Sequence, residues 1–207
     1  MKRNLAKGTI LTTTVAVAAG LMIASPAHAA TASTNAAMDA EKVSVSHMGG
    51  SLDPETYSGA LLVATPEGDE VPVMVNSGEA PEVIARIRTE SANGTLAASR
   101  DMSVAAVSCG VFVNAVALPF SYSTSPQGCA VAGYPGYQRE YRWNNTSDVE
   151  LCTQGKGFVN NGTLEVYQST GCTSGAYSVS WGNSLAYTQM KGMSLSGATG
   201  AAYQFRA

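Results

Sequence analysis

Four cysteines, Cys109, Cys129, Cys152 and Cys172, all fall in the second half of a 207-residue chain. An even cysteine count in an exported chain reads as a disulfide framework, and four cysteines allow three pairings. Cys109 to Cys129 and Cys152 to Cys172 have the same separation of 20, which favours sequential pairing. Each closed loop of that size contributes about 3 kcal/mol in the chain-entropy model.

Export is itself legible. Lys2, Arg3 and Lys7 precede an apolar stretch from Ile10 to Ala24, and Ala27-His28-Ala29 has the small-x-small form of a signal-peptidase site. Residues 1–29 are therefore expected to be a signal peptide. The apolar run is shorter than the roughly 20 residues that cross a bilayer, so no membrane attachment is expected after cleavage. The Ala-rich leader is bacterial in style. Its removal takes three bases and no acid, leaving nine bases against fifteen carboxylates, and His47 as the single histidine.

Charge then divides the remainder. Between Asp39 and Asp101 lie eleven carboxylates and four bases, with one aromatic residue, Tyr57. From Ser108 onward the balance is five bases to four acids, with both tryptophans and nearly all other aromatics. Residues 30–91 are expected to form a small acidic α+β segment. Ala60–Thr65 and Val71–Asn76 read as strands joined by the Pro66-Glu67-Gly68-Asp69-Glu70 turn. Ser77 or Gly78 caps a helix carrying Val83, Ile84 and Ile87 on one face, with Arg86 and Arg88 toward its C-terminal end. Residues 92–107 are small, polar and linker-like. The acidic segment is either a pro-segment released near Arg100, or a part that stays and packs against the second half as one α+β domain.

Residues 108–207 have the period-two pattern of strands. Tyr137, Arg139, Tyr141 and Trp143 alternate with Gln138, Glu140 and Arg142; Tyr177, Val179 and Trp181 alternate with serines; Tyr203 and Phe205 end the chain in the same rhythm. Turns rich in Gly, Pro and Asn separate these runs. The whole is expected to be mainly β: a small antiparallel sandwich or barrel with two disulfides, preceded by the acidic segment. With no isoleucine and five leucines in this half, Trp143, Trp181, Phe112 and Phe158 are expected to fill the core.

The chemistry available is narrow. One histidine and four bridged cysteines supply neither a triad nor a zinc site, and no glycine-rich phosphate loop opens a helix. No metal and no cofactor are expected. The net charge of −3 gives no field for nucleic acid. Asp148 and Glu150, two apart and about 7 Å from each other on one side of a strand, are the weak catalytic candidates for a carboxylate-dependent hydrolase made as a proprotein. Glu140 and Glu165 are their substitutes. The better-supported reading is a secreted, non-catalytic module that binds an extracellular protein or cell-wall glycan, in one version as a protease inhibitor. Its binding candidates are Tyr134 and Tyr137, flanking an exposed turn where sugars could stack, and Arg139 and Arg142, a pair for an anionic partner.

Overall fold

The computed structural model describes residues 48–96 and 109–207. The expected signal peptide of residues 1–29, His47, Arg100 and most of the expected linker lie outside the described residues. Twelve strands and one helix are present there, and the described residues belong to one compact unit.

The acidic segment begins with the hairpin β1 (Gly59–Ala64) and β2 (Glu70–Val75), paired antiparallel from Gly59↔Val75 to Ala64↔Glu70. Gly68, with φ of +98°, makes the turn that Pro66 and Gly68 announce. Helix α1 (Ala80–Ala92) follows. Its N-cap is Glu79, not Ser77 or Gly78; the Glu79 carboxylate accepts from the backbone and side-chain amides of Asn76, at 3.1 and 2.8 Å, and so closes the turn before the helix. Arg86 and Arg88 do not sit in the last turn, because the helix runs on to Ala92. Arg88 is instead buried and donates to Gly133 O at 2.6 Å.

Strands from both sides of the linker build one four-stranded sheet, in the order β10 (Leu185–Tyr187), β5 (Ala130–Ala132), β1, β2. β1 pairs parallel with β5, Leu61↔Ala130 to Val63↔Ala132. This strand is covered on both faces, which explains its continuous apolar run Leu61-Leu62-Val63. One face packs Leu61, Val63, Val73 and Val75 under Ile84 and Ile87 of the helix. The other packs Leu62, Ala64, Val131 and Ala186 against Phe158 and Trp181.

The second sheet is barrel-like and nearly closed. Its order is β8 (Leu164–Cys172), β7 (Leu151–Val159), β11 (Met190–Ser194), β3 (Val113–Pro119), β12 (Ala201–Arg206), β6 (Gln138–Asn145), β9 (Gly175–Ser180), with β4 (Ser123–Thr124) on β11. Thr173 and Ser174 bring the two end strands, β8 and β9, back beside each other. Pairing is antiparallel apart from β3 with β11 and β1 with β5. Tyr141, Trp143, Leu151, Val179, Met190, Tyr203 and Phe205 fill the inside. The disulfides join Cys109 to Cys129 and Cys152 to Cys172. The latter two residues face each other across β7 and β8, so the bridge closes a hairpin that the ladder already aligns.

Three of the four expected core aromatics are buried, Trp143, Phe158 and Trp181. Phe112 is not: it is partly exposed ahead of β3, where Arg206 lies over its ring at 5.1 Å from the centroid.

Candidate functional site

Two surface features stand out on this frame, one charged and one apolar. The charged one grows from the alternation of β6. Period two sends Arg139, with Tyr141 and Trp143, to the inner face and Glu140 and Arg142 to the outer face. Arg139 is thus 8% exposed, and it reaches Glu70 on β2, with Nη1 to Oε1 at 2.7 Å. Tyr137 donates to the same carboxylate oxygen at 2.5 Å and accepts from Arg139 Nη1 at 2.8 Å. Burial lowers the Arg139 pKa, but Tyr137 and Glu70 more than offset that, and the net shift is upward. Burial is also the chief cause that raises the Tyr137 hydroxyl, against the opposing charge of Arg139.

This corrects one expectation. Tyr137 is not a surface platform: it is buried with Cys129, Phe158 and Trp181. Tyr134 is half-buried against it, ring centroids 5.4 Å apart. Arg139 and Arg142 leave β6 on opposite faces. Arg142 is exposed, and its Nε donates to Glu140. Both arginines nonetheless line one cleft of about 250 Å³, together with Glu70, Gly110, Glu140, Arg206 and Ala207.

The apolar feature is carried by β3. Its outward positions include Val116 and Leu118, and the row continues through Phe120 and Tyr122 into the turn before β4. Val116 is 62% and Phe120 66% exposed. Phe120 has φ of +49°, a left-handed conformation that is an outlier for a bulky side chain. Its backbone N–H donates to Ser194 O at 2.9 Å, while the Ser123 hydroxyl donates to Val116 O at 2.6 Å. These bonds hold the turn. The ring lies against Gly197, where any added Cβ would come within 2.9 Å of it. Leu195, in the same β11–β12 connection, is also exposed. Sequence reasoning missed this row; the signal was Val116-x-Leu118-x-Phe120-x-Tyr122, a period of two begun by aliphatics and continued by aromatics.

Comparison with protein-family models, with curated proteins and with solved structures finds no match.

The catalytic candidates are not arranged as expected. Asp148 and Glu150 lie in the bend between β6 and β7, not on a strand, and both are exposed. Asn145 makes that bend: its Oδ1 accepts from the Ser147 amide at 3.0 Å, and its Nδ2 donates to Val149 O at 2.6 Å. An Asx turn of this kind breaks the alternation that would have aligned the two carboxylates. The substitutes are engaged elsewhere, Glu140 with Arg142 and Glu165 with Lys156 at 2.9 Å. Among the described residues no cluster of three or more His, Cys, Asp or Glu side chains is placed to hold a metal ion. Nor is any helix among them long and apolar enough to cross a membrane. The two disulfides are compatible with folding in an oxidising compartment.

Proposed function

We propose that this chain is a secreted, non-catalytic β-protein that binds another extracellular protein through the apolar row on β3 and the turn after it. The observation that carries this reading is Phe120, a large ring two-thirds exposed on a backbone conformation that costs on the order of 1–3 kcal/mol. The hydrogen bonds of the turn hold the backbone there, and the ring it presents is turned largely outward. Contiguous exposed apolar residues of this kind mark contact surfaces. Aliphatic Val116 and Leu118 beside Phe120 and Tyr122 suit a protein surface better than a sugar, which stacks on flat aromatic faces. The glycan version leaned on Tyr137, which is buried. The hydrolase version leaned on Asp148 and Glu150, which share no strand.

The test compares wild-type protein with a Leu118→Ser/Phe120→Ser variant on immobilised secreted proteases and on insoluble cell-wall polysaccharide. The expected result is saturable binding to a protease, weakened at least tenfold in the variant, with an unchanged melting temperature. Retention on the polysaccharide alone, undiminished in the variant, would overturn the reading.

A further inference from the structure

The two disulfides span equal separations of chain but sit in unlike surroundings. Cys129 is 3% exposed in the cluster of Tyr137, Phe158 and Trp181, and Cys109 is half-buried against the same cluster. Cys172 is exposed at the end of β8, with Cys152 half-buried opposite it. An extra residue in β8 creates that pairing. The ladder runs from Val159↔Leu164 to Gln154↔Ser169, skips Thr170, and resumes at Thr153↔Gly171. This one-residue bulge turns Cys172, rather than Gly171, toward Cys152. The Thr170 hydroxyl is taken up by that of Thr153 at 2.7 Å.

The residues on both sides of Cys172 have positive φ. Gly171 has φ of +119° and Thr173 of +72°, and for a β-branched residue the latter is an outlier. Strained backbone of this kind gathers at functional and switching segments. Bonds other than the bridge hold it here. The Thr173 N–H donates to Leu151 O at 2.7 Å, and Trp143 Nε1 donates to Thr173 O at 3.0 Å. Together with the ladder from Gln154 to Val159, they keep β7 and β8 side by side when the bridge is open.

We propose that Cys152–Cys172 is a site of thiol–disulfide exchange, with Cys172 Sγ the sulfur attacked and a low-molecular-weight thiol the reactant. The thiolate bonds to Cys172 Sγ, the bond to Cys152 Sγ breaks, and its electron pair leaves on Cys152 as a thiolate. The product is a mixed disulfide at Cys172. Because the ladder keeps Cys152 opposite, its thiolate can attack Cys172 Sγ in turn, expel the small thiol and reclose the bridge. A second thiolate attacking the small thiol's sulfur instead releases Cys172, leaving both cysteines reduced and the small thiol as its own disulfide. Cys109–Cys129 is closed to the same attack by the burial of Cys129. The site does not depend on the apolar row on β3.

The test adds reduced glutathione to the folded full chain and follows it by rapid alkylation and peptide mass mapping. Cys152–Cys172 is expected to open at least tenfold faster than Cys109–Cys129, with any glutathione adduct on Cys172, while a cooperative melt persists. In denaturing guanidinium chloride the two bridges should open at comparable rates, because their separations are equal and the folded surroundings are gone. A Cys152→Ser variant should take up glutathione from its oxidised form on Cys172 at least tenfold faster than a Cys109→Ser variant does on Cys129. A ratio below tenfold in the folded chain overturns the proposal, as does glutathione found first on Cys152. So does an opening of Cys152–Cys172 that proceeds only as the chain unfolds, or a preference that survives in denaturant.

Discussion

The Tyr137 hydroxyl donates to Glu70 Oε1 at 2.5 Å, across 67 positions of chain and from the aromatic half to the acidic half. Arg139 completes the triangle from the inner face of β6, so a single half-exposed carboxylate satisfies two largely buried groups. The value of Glu70 is therefore larger than that of an ordinary surface ion pair. Its removal strands a guanidinium that is 10% exposed and whose Nε already lacks a partner.

Glu70→Ala is expected to destabilise the chain by about 1–3 kcal/mol, the upper bound set by breaking one side of a buried pair and the lower by the exposure of Glu70. Tyr137→Phe should cost about 1 kcal/mol, the worth of one hydrogen bond. Adding Arg139→Met to Glu70→Ala should recover part of the loss, since no unpaired charge then remains. Urea unfolding of wild type and these three variants measures the differences. Equal stability of Glu70→Ala and wild type would show that solvent satisfies Arg139 in full.

The acidic segment is expected to remain with the second half of the chain. β1 is interposed between β2 and β5, and its residues Leu61 to Ala64 are buried on both faces. Release near Arg100 would uncover Ala130, Ala132 and Leu185 on the helix side, and Val131 and Ala186 on the other. It would also leave β5 and β10 as a two-stranded remnant, which is marginal by itself. Intact mass of the protein from culture medium should include residues 48–96, and a chain beginning at Ser108 should lack a cooperative melt. A recovered mass that starts near Arg100, with sharp unfolding, would instead establish a pro-segment.

Local pattern made much of the fold legible. The Pro-Gly turn located the β1–β2 hairpin to within one residue, and three of the four aromatics expected in the core, Trp143, Phe158 and Trp181, are buried. Equal cysteine spacing picked the observed pairing. What stayed hidden is long-range. No local feature of Leu61-Leu62-Val63 says that its second neighbour is Ala130-Val131-Ala132, because a parallel partner is set by packing and not by a turn. The same alternation that buried Tyr141 also buried Tyr137 and Arg139; reading them as surface groups let residue type override position. Asp148 and Glu150 failed for the opposite reason, since Asn145 ended the strand before the period reached them.

Arg88 offers a stabilising substitution. Its guanidinium is buried, donates from Nη2 to Gly133 O, and leaves Nε and Nη1 without partners. Desolvation lowers its pKa to about 10. Below that pH the folded state carries an unpaired buried charge. Arg88→Met forfeits one hydrogen bond of about 1 kcal/mol and removes the desolvated charge, so a net gain of about 1–2 kcal/mol is expected at pH 7. Thermal and urea unfolding measure it directly. A loss greater than 1 kcal/mol would mean that the Gly133 contact outweighs the burial of charge.

Stability should fall steeply in alkali, and the tyrosines decide the sign. Burial is the leading cause of raised hydroxyl pKa values at Tyr57, Tyr137, Tyr141, Tyr167 and Tyr203, with Tyr167 pushed up to about 12. An unfolded tyrosine releases its proton near pH 10, so above that pH the folded chain holds protons the unfolded chain has lost. Stability then decreases as pH rises, by about 1.4 kcal/mol per pH unit for each proton fully withheld. Arg88 acts the other way. Its proton leaves the folded state from about pH 10, before the ordinary arginine value of 12.5, and so adds stability over that interval. One such group does not balance five. Urea midpoints at pH 8, 10 and 11 should therefore drop mainly between the last two, and phenolate absorbance should rise together with unfolding. Tyr167→Phe should make the decline shallower by close to one proton. A midpoint that holds level from pH 10 to 11 would show that these hydroxyls ionise within the folded chain.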